Sequence, residues 1–268
     1  MKMFKYFFLF GLLSYLLILL FMFLFQRTFM YHPNIKNSDP VSKTFNYEEV
    51  FIPSDKNIEL RSWFSFKPEN KKTILFFHGN AGELSARVYK LNKFSDINVN
   101  FLIISWRGFS GNNGKPTEKG LYKDAEKAVQ WLENKGITKK DIILYGESLG
   151  TGIAVELASK DNFSGVILES PYTSMVDMGK RFYPFIPVSL LQRDRYNSIK
   201  KIKKINSPIL VLHGKADTLV PFYMGRKIYE SANEPKYSYF PTFDNHMMAY
   251  DQSMINALKN FLNIISRQ

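Results

Sequence analysis

The segment Asp141–Gly150 carries the residues best suited to covalent chemistry in this chain. Its apolar run Ile142–Tyr145 predicts a buried strand that ends in a G-x-S-x-G pattern at Gly146–Gly150, and apolar residues at helical spacing follow. A serine between strand and helix in this pattern lies in a strained turn that exposes its hydroxyl. The glycines are expected where the two backbones approach too closely for a Cβ. Ser148 is therefore the candidate nucleophile.

A serine hydroxyl is a weak nucleophile at neutral pH and needs a base to take its proton. The chain has four histidines, His32, His78, His213 and His246. The first adjoins an apolar N-terminal segment, and the next two each end a buried strand. Only His246 falls in a loop between the last predicted strand and the closing helix, at the sheet edge where such folds place functional groups. We predict His246 as the base; the alternative is an ordinary surface histidine.

The base in turn needs a carboxylate that fixes its tautomer and stabilises the imidazolium. Asp217 follows a predicted buried strand by four residues, on a loop at the same sheet edge. Asp194 is expected to form a salt bridge with a neighbouring arginine, and Asp244 is too close in sequence to His246 to approach its ring from behind. Asp217 is therefore predicted as the acid, with Asp244 the second candidate. The chain order Ser, Asp, His differs from the two other common triad orders.

The oxyanion of a tetrahedral intermediate needs two preorganised donors. One predicted donor is the backbone N–H of Leu149, at the amino end of the helix that follows Ser148. The other is the backbone N–H of Asn80, within the loop His78–Gly82 that follows a buried strand. The alternative for this loop is a plain tight turn.

Strand and helix patterns alternate along the chain, which predicts an α/β fold with a mostly parallel central sheet and helices on both faces. An antiparallel strand is expected at 58–66, near a sheet edge. The predicted buried strands cover residues 73–77, 99–104, 142–145, 165–168 and 208–213, and a helix covers 117–135.

Residues 170–207 interrupt this alternation and predict an irregular insert, a small cap over the carboxyl edge of the sheet. Its aromatic and aliphatic side chains are expected either to meet an acyl chain or to pack on the core; they are Phe182, Tyr183, Phe185 and Ile186. From Lys180 to Lys204 the insert carries eight lysines or arginines and one acidic residue, Asp194. Such a run is either a solvated face or a contact for an anionic partner such as a lipid head group.

Residues Tyr6–Phe25 contain no charged side chain. Twenty helical residues at ~1.5 Å each span ~30 Å, the thickness of a bilayer's hydrocarbon core. The run lacks a small-residue cleavage site, so a retained single-pass anchor is predicted, with a cleaved signal peptide as the alternative. We expect an anchor at 1–30, a spacer at 31–44 that lifts the domain off the membrane, and one catalytic domain at 45–268. The lysines flanking the run do not decide which side holds the domain.

Composition excludes several other classes of function. The chain has 268 residues, no cysteine and a net charge of +12. Disulfides, a thiolate nucleophile and cysteine-ligated zinc are excluded. No phosphate-binding loop or H-E-x-x-H zinc helix is present, and no nucleic-acid-binding motif accompanies the charge, so we expect no cofactor, no metal and no nucleic-acid partner.

Together these motifs resemble those of α/β-hydrolase-fold serine hydrolases, from about Phe45 to the C-terminus. The resemblance is carried by His78–Gly82, Gly146–Gly150, the segment His213–Asp217 and the late His246. It is closest to the small-capped, singly membrane-anchored subgroup with an HGNAG loop, some of which remove acyl groups from lipids or proteins. The subgroup often has Gly-His where this chain has Asn245 before His246; we expect Asn245 to substitute by tolerating a left-handed backbone.

The resemblance implies hydrolysis of carboxylic esters or thioesters through an acyl-enzyme, with a lipid or an acylated protein as the substrate. Two alternatives stay open at this point. One is a peptidase or amidase on the same scaffold, and the other is a catalytically inactive binding protein that kept the fold.

Overall fold

The computed structural model describes residues 2–34 and 44–267. Its strands in chain order are β1 (His32–Pro33), β2 (Glu48–Asp55), β3 (Ile58–Ser65), β4 (Thr73–Phe77), β5 (Ala81–Gly82), β6 (Asn100–Ile104), β7 (Ile142–Glu147), β8 (Gly165–Glu169), β9 (Ile209–Leu212) and β10 (Lys236–Tyr239). Eight of them form one sheet in the order β10-β9-β8-β7-β4-β6-β3-β2. β1 and β5 form a separate parallel pair.

The helices in chain order are α1 (Lys2–Met30), α2 (Val88–Ser95), α3 (Glu118–Asn134), α4 (Leu149–Ala158), α5 (Met175–Phe182), α6 (Val188–Leu191), α7 (Ser198–Lys201), α8 (Phe222–Ser231) and α9 (Gln252–Ile265). Single 3₁₀ turns cover Leu84–Arg87 and Ile202–Lys204.

The two faces of the sheet bury two separate hydrophobic cores. Successive side chains of a strand point to opposite faces. Leu75 and Phe77 of β4 accordingly join the core formed with α3, α4 and α8, whereas Ile74 and Phe76 join the core formed with α2 and α9. Because both faces are covered, all five residues of β4 are buried. Helices therefore lie on both faces of the sheet, as predicted.

The sheet is parallel from β10 to β6 and antiparallel at its other edge. β3 pairs antiparallel with both β2 and β6, which confirms the predicted antiparallel strand. β2 itself was missed, because its sequence EEVFIPSD contains two glutamates and a proline. Every second side chain of β2 is nevertheless buried from Val50 onward, and its open edge tolerates the proline.

The segment Ser170–Ser207 lies over the carboxyl ends of the strands, where the sequence predicted an insert. The expectation of irregular structure was wrong, because three short helices, α5, α6 and α7, form within it. α5 begins at Ser174, whose hydroxyl accepts a hydrogen bond from the Asp177 N–H at 3.0 Å and so caps the helix.

Helix α1 is long and apolar enough to cross a membrane, and none of its most apolar window is buried. It continues past the uncharged run to Met30, and the chain then joins the main domain directly. Tyr31 is buried, and the backbone of His32–Pro33 pairs with Ala81–Gly82. This first part of the predicted spacer therefore packs on the domain; residues 35–43 of the spacer lie outside the described residues.

Candidate active site

Ser148 lies between β7 and α4 with φ +50° and ψ −113°. Residues other than glycine rarely adopt a positive φ, so the backbone of Ser148 is strained. The flanking glycines allow the turn. A Cβ on Gly146 would lie 2.5 Å from the carbonyl oxygen of Gly150, and a Cβ on Gly150 would overlap the backbone of Phe77. The turn directs the Ser148 side chain into a cavity at the carboxyl edge of the sheet.

The structure brings together the three side chains that the sequence singled out. Ser148 Oγ lies 3.0 Å from His246 Nε2, and His246 Nδ1 lies 2.8 Å from Asp217 Oδ2. Since a carboxylate only accepts, Nδ1 carries the proton and Nε2 is left to accept from the serine hydroxyl. Asp244 does not contact the imidazole; its carboxylate accepts from the Ala249 N–H at 2.9 Å.

The Asp217 carboxylate is fully buried and has several donors. Its Oδ1 accepts from the backbone N–H groups of Leu219 and Val220 at 2.9 and 2.8 Å. Its Oδ2 lies 3.2 Å from Nε2 of His213 in addition to the His246 contact. Burial alone would raise the pKa of Asp217, but hydrogen bonds from His213 and His246 outweigh it and hold the pKa below its usual range. The carboxylate therefore stays charged, which the predicted role of Asp217 requires.

Sequence reasoning missed the role of His213. It lies at the end of β9, and its Nε2 also lies 2.9 Å from the Val220 carbonyl oxygen. Because a carbonyl only accepts, this nitrogen carries a proton that it directs at Val220 and Asp217. The four-residue spacing from His213 to Asp217 is the signal that pointed to the loop, but it did not identify the contact.

Asn245 takes part in the same loop in a different way from that expected. It is not among the residues with positive φ, so tolerance of a left-handed backbone does not explain it. Its side-chain oxygen instead accepts from the N–H of His246 at 2.7 Å and from the N–H of Thr218 at 3.3 Å. Asn245 thereby connects the loop that carries His246 to the loop that carries Asp217.

The two predicted oxyanion donors both border the cavity with Ser148. Leu149 is the first residue of α4, where a backbone N–H has no partner within the helix. Asn80 lies in the loop between β4 and β5. Its side-chain amide donates to the Met30 carbonyl at 2.8 Å, and its own carbonyl accepts from the His32 N–H at 2.8 Å. The position of Asn80 thus depends on the end of α1, a dependence that the sequence did not indicate.

A buried cluster of charges, which we call the floor cluster, lies beneath the serine. Lys90 Nζ contacts Glu147 Oε2 at 2.6 Å and Glu169 Oε1 at 2.7 Å, and Arg87 Nη2 contacts Glu147 Oε1 at 2.7 Å. Glu169 also accepts from the hydroxyls of two buried tyrosines, Tyr145 and Tyr250. Burial would raise the pKa of Glu147, but the charges of Arg87 and Lys90 outweigh it and lower that pKa.

The floor cluster joins the loops that carry the candidate catalytic groups. Glu147 precedes Ser148, and its Oε1 accepts from the Gly79 N–H of the Asn80 loop at 3.2 Å. The Glu169 carbonyl accepts from the Ser148 N–H at 2.9 Å. Tyr250 lies on the segment that carries His246. A buried charge is tolerated only when it is paired, and here each charge is paired across elements.

Above Ser148 lies a cavity of about 320 Å³, within the usual range for ligand pockets. One wall is the insert, with Phe182, Tyr183 and Ile186 among the lining side chains, whereas Phe185 does not border the cavity. The opposite wall is the end of α1. Its lining residues are Met22, Gln26, Phe29 and Met30. We call α1 and the insert together the roof. The contribution of α1 to the cavity wall was missed, because its apolar sequence predicts a membrane span and does not indicate a contact with the domain.

The two parts of the roof are joined by polar contacts. Asp194 pairs with Arg27 of α1, at 2.7 Å from Nε and 3.1 Å from Nη2. The predicted salt bridge of Asp194 with a neighbouring arginine, Arg193 or Arg195, is therefore wrong. The Tyr31 hydroxyl lies 2.8 Å from that of Tyr196. Partners 163 to 167 positions apart are invisible to a local sequence pattern.

Comparison with known proteins identifies the family of the chain and agrees with its fold. The profile of the prolyl oligopeptidase family matches residues 107–264. Protein bem46 of Schizosaccharomyces pombe is 34% identical over 220 residues, which cover 75% of this chain and 73% of that protein. Human alpha/beta hydrolase domain-containing protein 17B is 37% identical over 176 residues, 63% of this chain and 58% of its own. The structure of the Pyrococcus furiosus esterase Pf2001 superimposes with a TM-score of 0.70 at 19% identity, over 88% of this chain and 98% of the esterase.

The fold and these relatives define a serine hydrolase of the α/β-hydrolase fold, which confirms the fold predicted from the motifs. Since the family profile covers more than half of the sequence, the chain belongs to the prolyl oligopeptidase family.

Proposed function

We propose that this protein is a membrane-anchored serine hydrolase that cleaves carboxylic esters or thioesters through an acyl-enzyme. The observation that carries the proposal is the pair of contacts from Ser148 Oγ to His246 Nε2 at 3.0 Å and from His246 Nδ1 to Asp217 Oδ2 at 2.8 Å. Both distances suit proton transfer and orientation of the imidazole. Ser148 borders a cavity large enough for an acyl chain.

In this mechanism Ser148 Oγ attacks the carbonyl carbon of the substrate while His246 Nε2 takes the hydroxyl proton. The carbonyl oxygen becomes an oxyanion, which accepts hydrogen bonds from the backbone N–H groups of Leu149 and Asn80. The imidazolium then gives its proton to the leaving alcohol or thiol, and an acyl-Ser148 ester remains. Water, deprotonated by His246, attacks that ester; the acyl–Oγ bond breaks, the imidazolium returns its proton to Ser148 Oγ, and the carboxylic acid is released. Asp217 holds the imidazole and stabilises its charged form throughout.

The lining of the cavity favours an acyl substrate. Side chains such as Phe29, Met178 and Ile186 border it, and its lining within the described residues includes no aspartate, glutamate, lysine or arginine. Apolar walls stabilise a hydrocarbon chain by removing it from water. A lipid or an acylated protein would supply such a chain, in agreement with the HGNAG subgroup that the motifs resemble, and we assign the chain to that subgroup as part of the proposal.

We assign residues 1–30 as a retained single-pass anchor, 31–44 as the connection, and 45–268 as the catalytic domain with its insert at 170–207. Two contacts support retention of the helix. Met30 accepts from the Asn80 side chain, and Arg27 pairs with Asp194. A signal peptide would be removed together with one wall of the cavity, which argues against cleavage.

The test uses the full-length protein in detergent and a fluorophosphonate probe, which reacts with activated serines. Wild-type protein should be labelled, and folded Ser148→Ala should not. A panel of p-nitrophenyl and thioester substrates with increasing acyl length then measures chain preference. A folded wild-type sample that neither reacts with the probe nor hydrolyses any ester would favour the catalytically inactive binding protein.

Peptide or amide hydrolysis is the second candidate function, favoured by the match to the prolyl oligopeptidase family. Ester and amide substrates with the same acyl group separate the two. We expect kcat/KM to be higher for the ester or thioester than for the amide. The ratio of the two kcat/KM values should exceed the ratio of the two uncatalysed hydrolysis rates. A higher kcat/KM for the amide would replace the esterase assignment with a peptidase one.

A further inference from the structure

The tip of the insert, residues Phe182–Leu190, exposes several large apolar side chains. Phe185 and Leu190 are 86% and 83% exposed, and Phe182 and Tyr183 are 50% and 39% exposed. Single exposed apolar residues are common on soluble proteins, but a cluster of them marks a surface that is normally covered. Neither Phe185 nor Leu190 borders the cavity, so the substrate does not account for them.

The position of the tip along α1 indicates what covers it. The hydroxyl of Tyr15 donates to the Phe185 carbonyl at 2.7 Å. Tyr15 lies in the middle of the uncharged run Tyr6–Phe25, and the ten residues from Phe25 back to Tyr15 correspond to ~15 Å of helix. If α1 crosses a bilayer, a surface at the level of Tyr15 lies below the head groups.

Exposed cationic residues adjoin the tip in the sequence. Lys180 and Arg181 form the last turn of α5 and are exposed, and neither has an ion pair within the described part of the chain. Arg193 is also exposed, with its guanidinium 5.7 Å from the ring of Phe23. Cationic side chains beside an apolar surface suit the anionic head groups of a leaflet. Their apolar stems can lie in the membrane while their charged ends reach the head groups.

We propose that the insert tip is embedded in the same bilayer leaflet as α1, so that acyl chains reach Ser148 sideways from the membrane. The cavity lies between α1 and the insert, with Phe29 on one wall and Phe182 on the other, and it extends to Ser148. An acyl chain in the leaflet enters between these walls while its ester remains at the level of the head groups. This inference rests on the proposed function and specifies where its substrate resides.

Because the chain has no cysteine, a single introduced cysteine can carry a spin label at a chosen site. Full-length Phe185→Cys and Leu190→Cys are labelled and reconstituted into vesicles of phosphatidylcholine and phosphatidylglycerol. Electron paramagnetic resonance then compares relaxation by oxygen, which partitions into the bilayer, with relaxation by a water-soluble nickel chelate. Phe51→Cys is the matched control, because Phe51 is 54% exposed on β2 at the far edge of the sheet.

We expect labels at positions 185 and 190 to be more accessible to oxygen than to nickel, and the label at position 51 to show the reverse. Labels at positions 185 and 190 that are as accessible to nickel as the control would overturn the inference. Protection from both reagents would overturn it too, because a protein partner or a second copy would then cover the tip.

A second measurement tests entry from the leaflet. In Phe185→Glu/Leu190→Glu, kcat/KM for a long-chain ester embedded in vesicles should fall about tenfold or more, because two apolar anchors are lost from the membrane. Hydrolysis of a short, water-soluble ester should stay unchanged, as should both activities of Phe51→Glu. An equal fall for both esters would exclude the proposed route. If wild-type protein hydrolyses neither ester, the proposed function fails, while the spin-label result still reports on the tip.

Discussion

The floor cluster and the roof both hold the loop His78–Gly82, but by different physical means. From below, Glu147 accepts from the Gly79 N–H, and the side chains of Lys90, Glu147 and Glu169 are at most 5% exposed. From above, the Asn80 side chain donates to the Met30 carbonyl, and the nearby ion pair involves Arg27, whose side chain is 34% exposed. Removing one partner of a buried ion pair costs about 3–5 kcal/mol, whereas a partly exposed pair contributes less. The comparison implies that the floor sets catalytic geometry and the roof sets access.

The largest expected effect concerns the proposed triad of Ser148, His246 and Asp217, which lies above the floor cluster. Asp217→Asn should lower kcat by about 10³- to 10⁴-fold, because the amide no longer selects the imidazole tautomer that accepts from Ser148. Short soluble and long membrane-embedded esters should lose activity alike, since neither access nor binding changes. Steady-state kinetics with both substrates measures it.

Asp244→Asn is the matched control, because Asp244 lies two residues from His246 and its carboxylate binds only the Ala249 N–H in the described structure. It should retain activity within a few-fold. A loss in Asp244→Asn that equals the loss in Asp217→Asn would remove Asp217 from its assigned role.

The second effect concerns the stability of the floor itself. Lys90→Met should cost about 3–5 kcal/mol of unfolding free energy, because it leaves Glu147 and Glu169 buried without their shared cation. Denaturant titration of the full chain in detergent measures the loss. Lys93→Met removes a lysine whose side chain is 44% exposed and 3.8 Å from Asp96, and should cost well under 1 kcal/mol. Equal losses in the two variants would mean that the floor cluster does not hold the turn at Ser148.

The sequence predicted those parts of the fold and site that have local signals. Buried strands such as β4 and β7 are continuous apolar runs, and the glycines around Ser148 predict the turn. The chain order and the sheet edge then led to Asp217 and His246, and the structure brings their side chains to Ser148. The roles of these residues stay predictions until they are tested.

The parts that escaped prediction depend on contacts between distant segments. Nothing near Lys90 in sequence indicates that its partners are Glu147 and Glu169, 57 and 79 positions away. The partner of Asp194 was misassigned for the same reason, because Arg27 belongs to a segment whose composition predicts only a membrane span. Polar pairing inside a fold follows from packing, which a single sequence pattern does not specify.

The third effect concerns His78, which lies where the floor and the roof meet. Burial lowers the pKa of His78 to about 3. Because this pKa lies below the unfolded value of ~6.5, the unfolded chain binds a proton first as the pH falls, and stability decreases from about pH 6.5 down to about pH 3. Between pH 6 and pH 4 this costs about 2.5 kcal/mol.

His78→Phe removes that titration, and a ring at this position still packs on Trp106 and Phe109. We expect the unfolding free energy of the variant to depend less on pH, by about 2.5 kcal/mol over the same interval. Denaturant titrations at pH 6 and pH 4 measure it. An unchanged pH dependence would mean that His78 binds a proton as readily in the folded protein as in the unfolded chain.

The smallest expected effect concerns the roof, and it tests whether the roof and the floor cluster have different roles. Asp194→Asn weakens the ion pair with Arg27, which is worth about 1–2 kcal/mol at this partial exposure, so α1 should separate from the insert more often. We expect kcat/KM for a vesicle-embedded long-chain ester to fall about tenfold. A short soluble ester should lose only a few-fold, through the Met30–Asn80 contact. Asp161→Asn, which breaks an exposed pair with Lys139, should change neither. If Asp194→Asn lowers both activities equally, the roof controls catalytic geometry as much as the floor does, and the division between them fails.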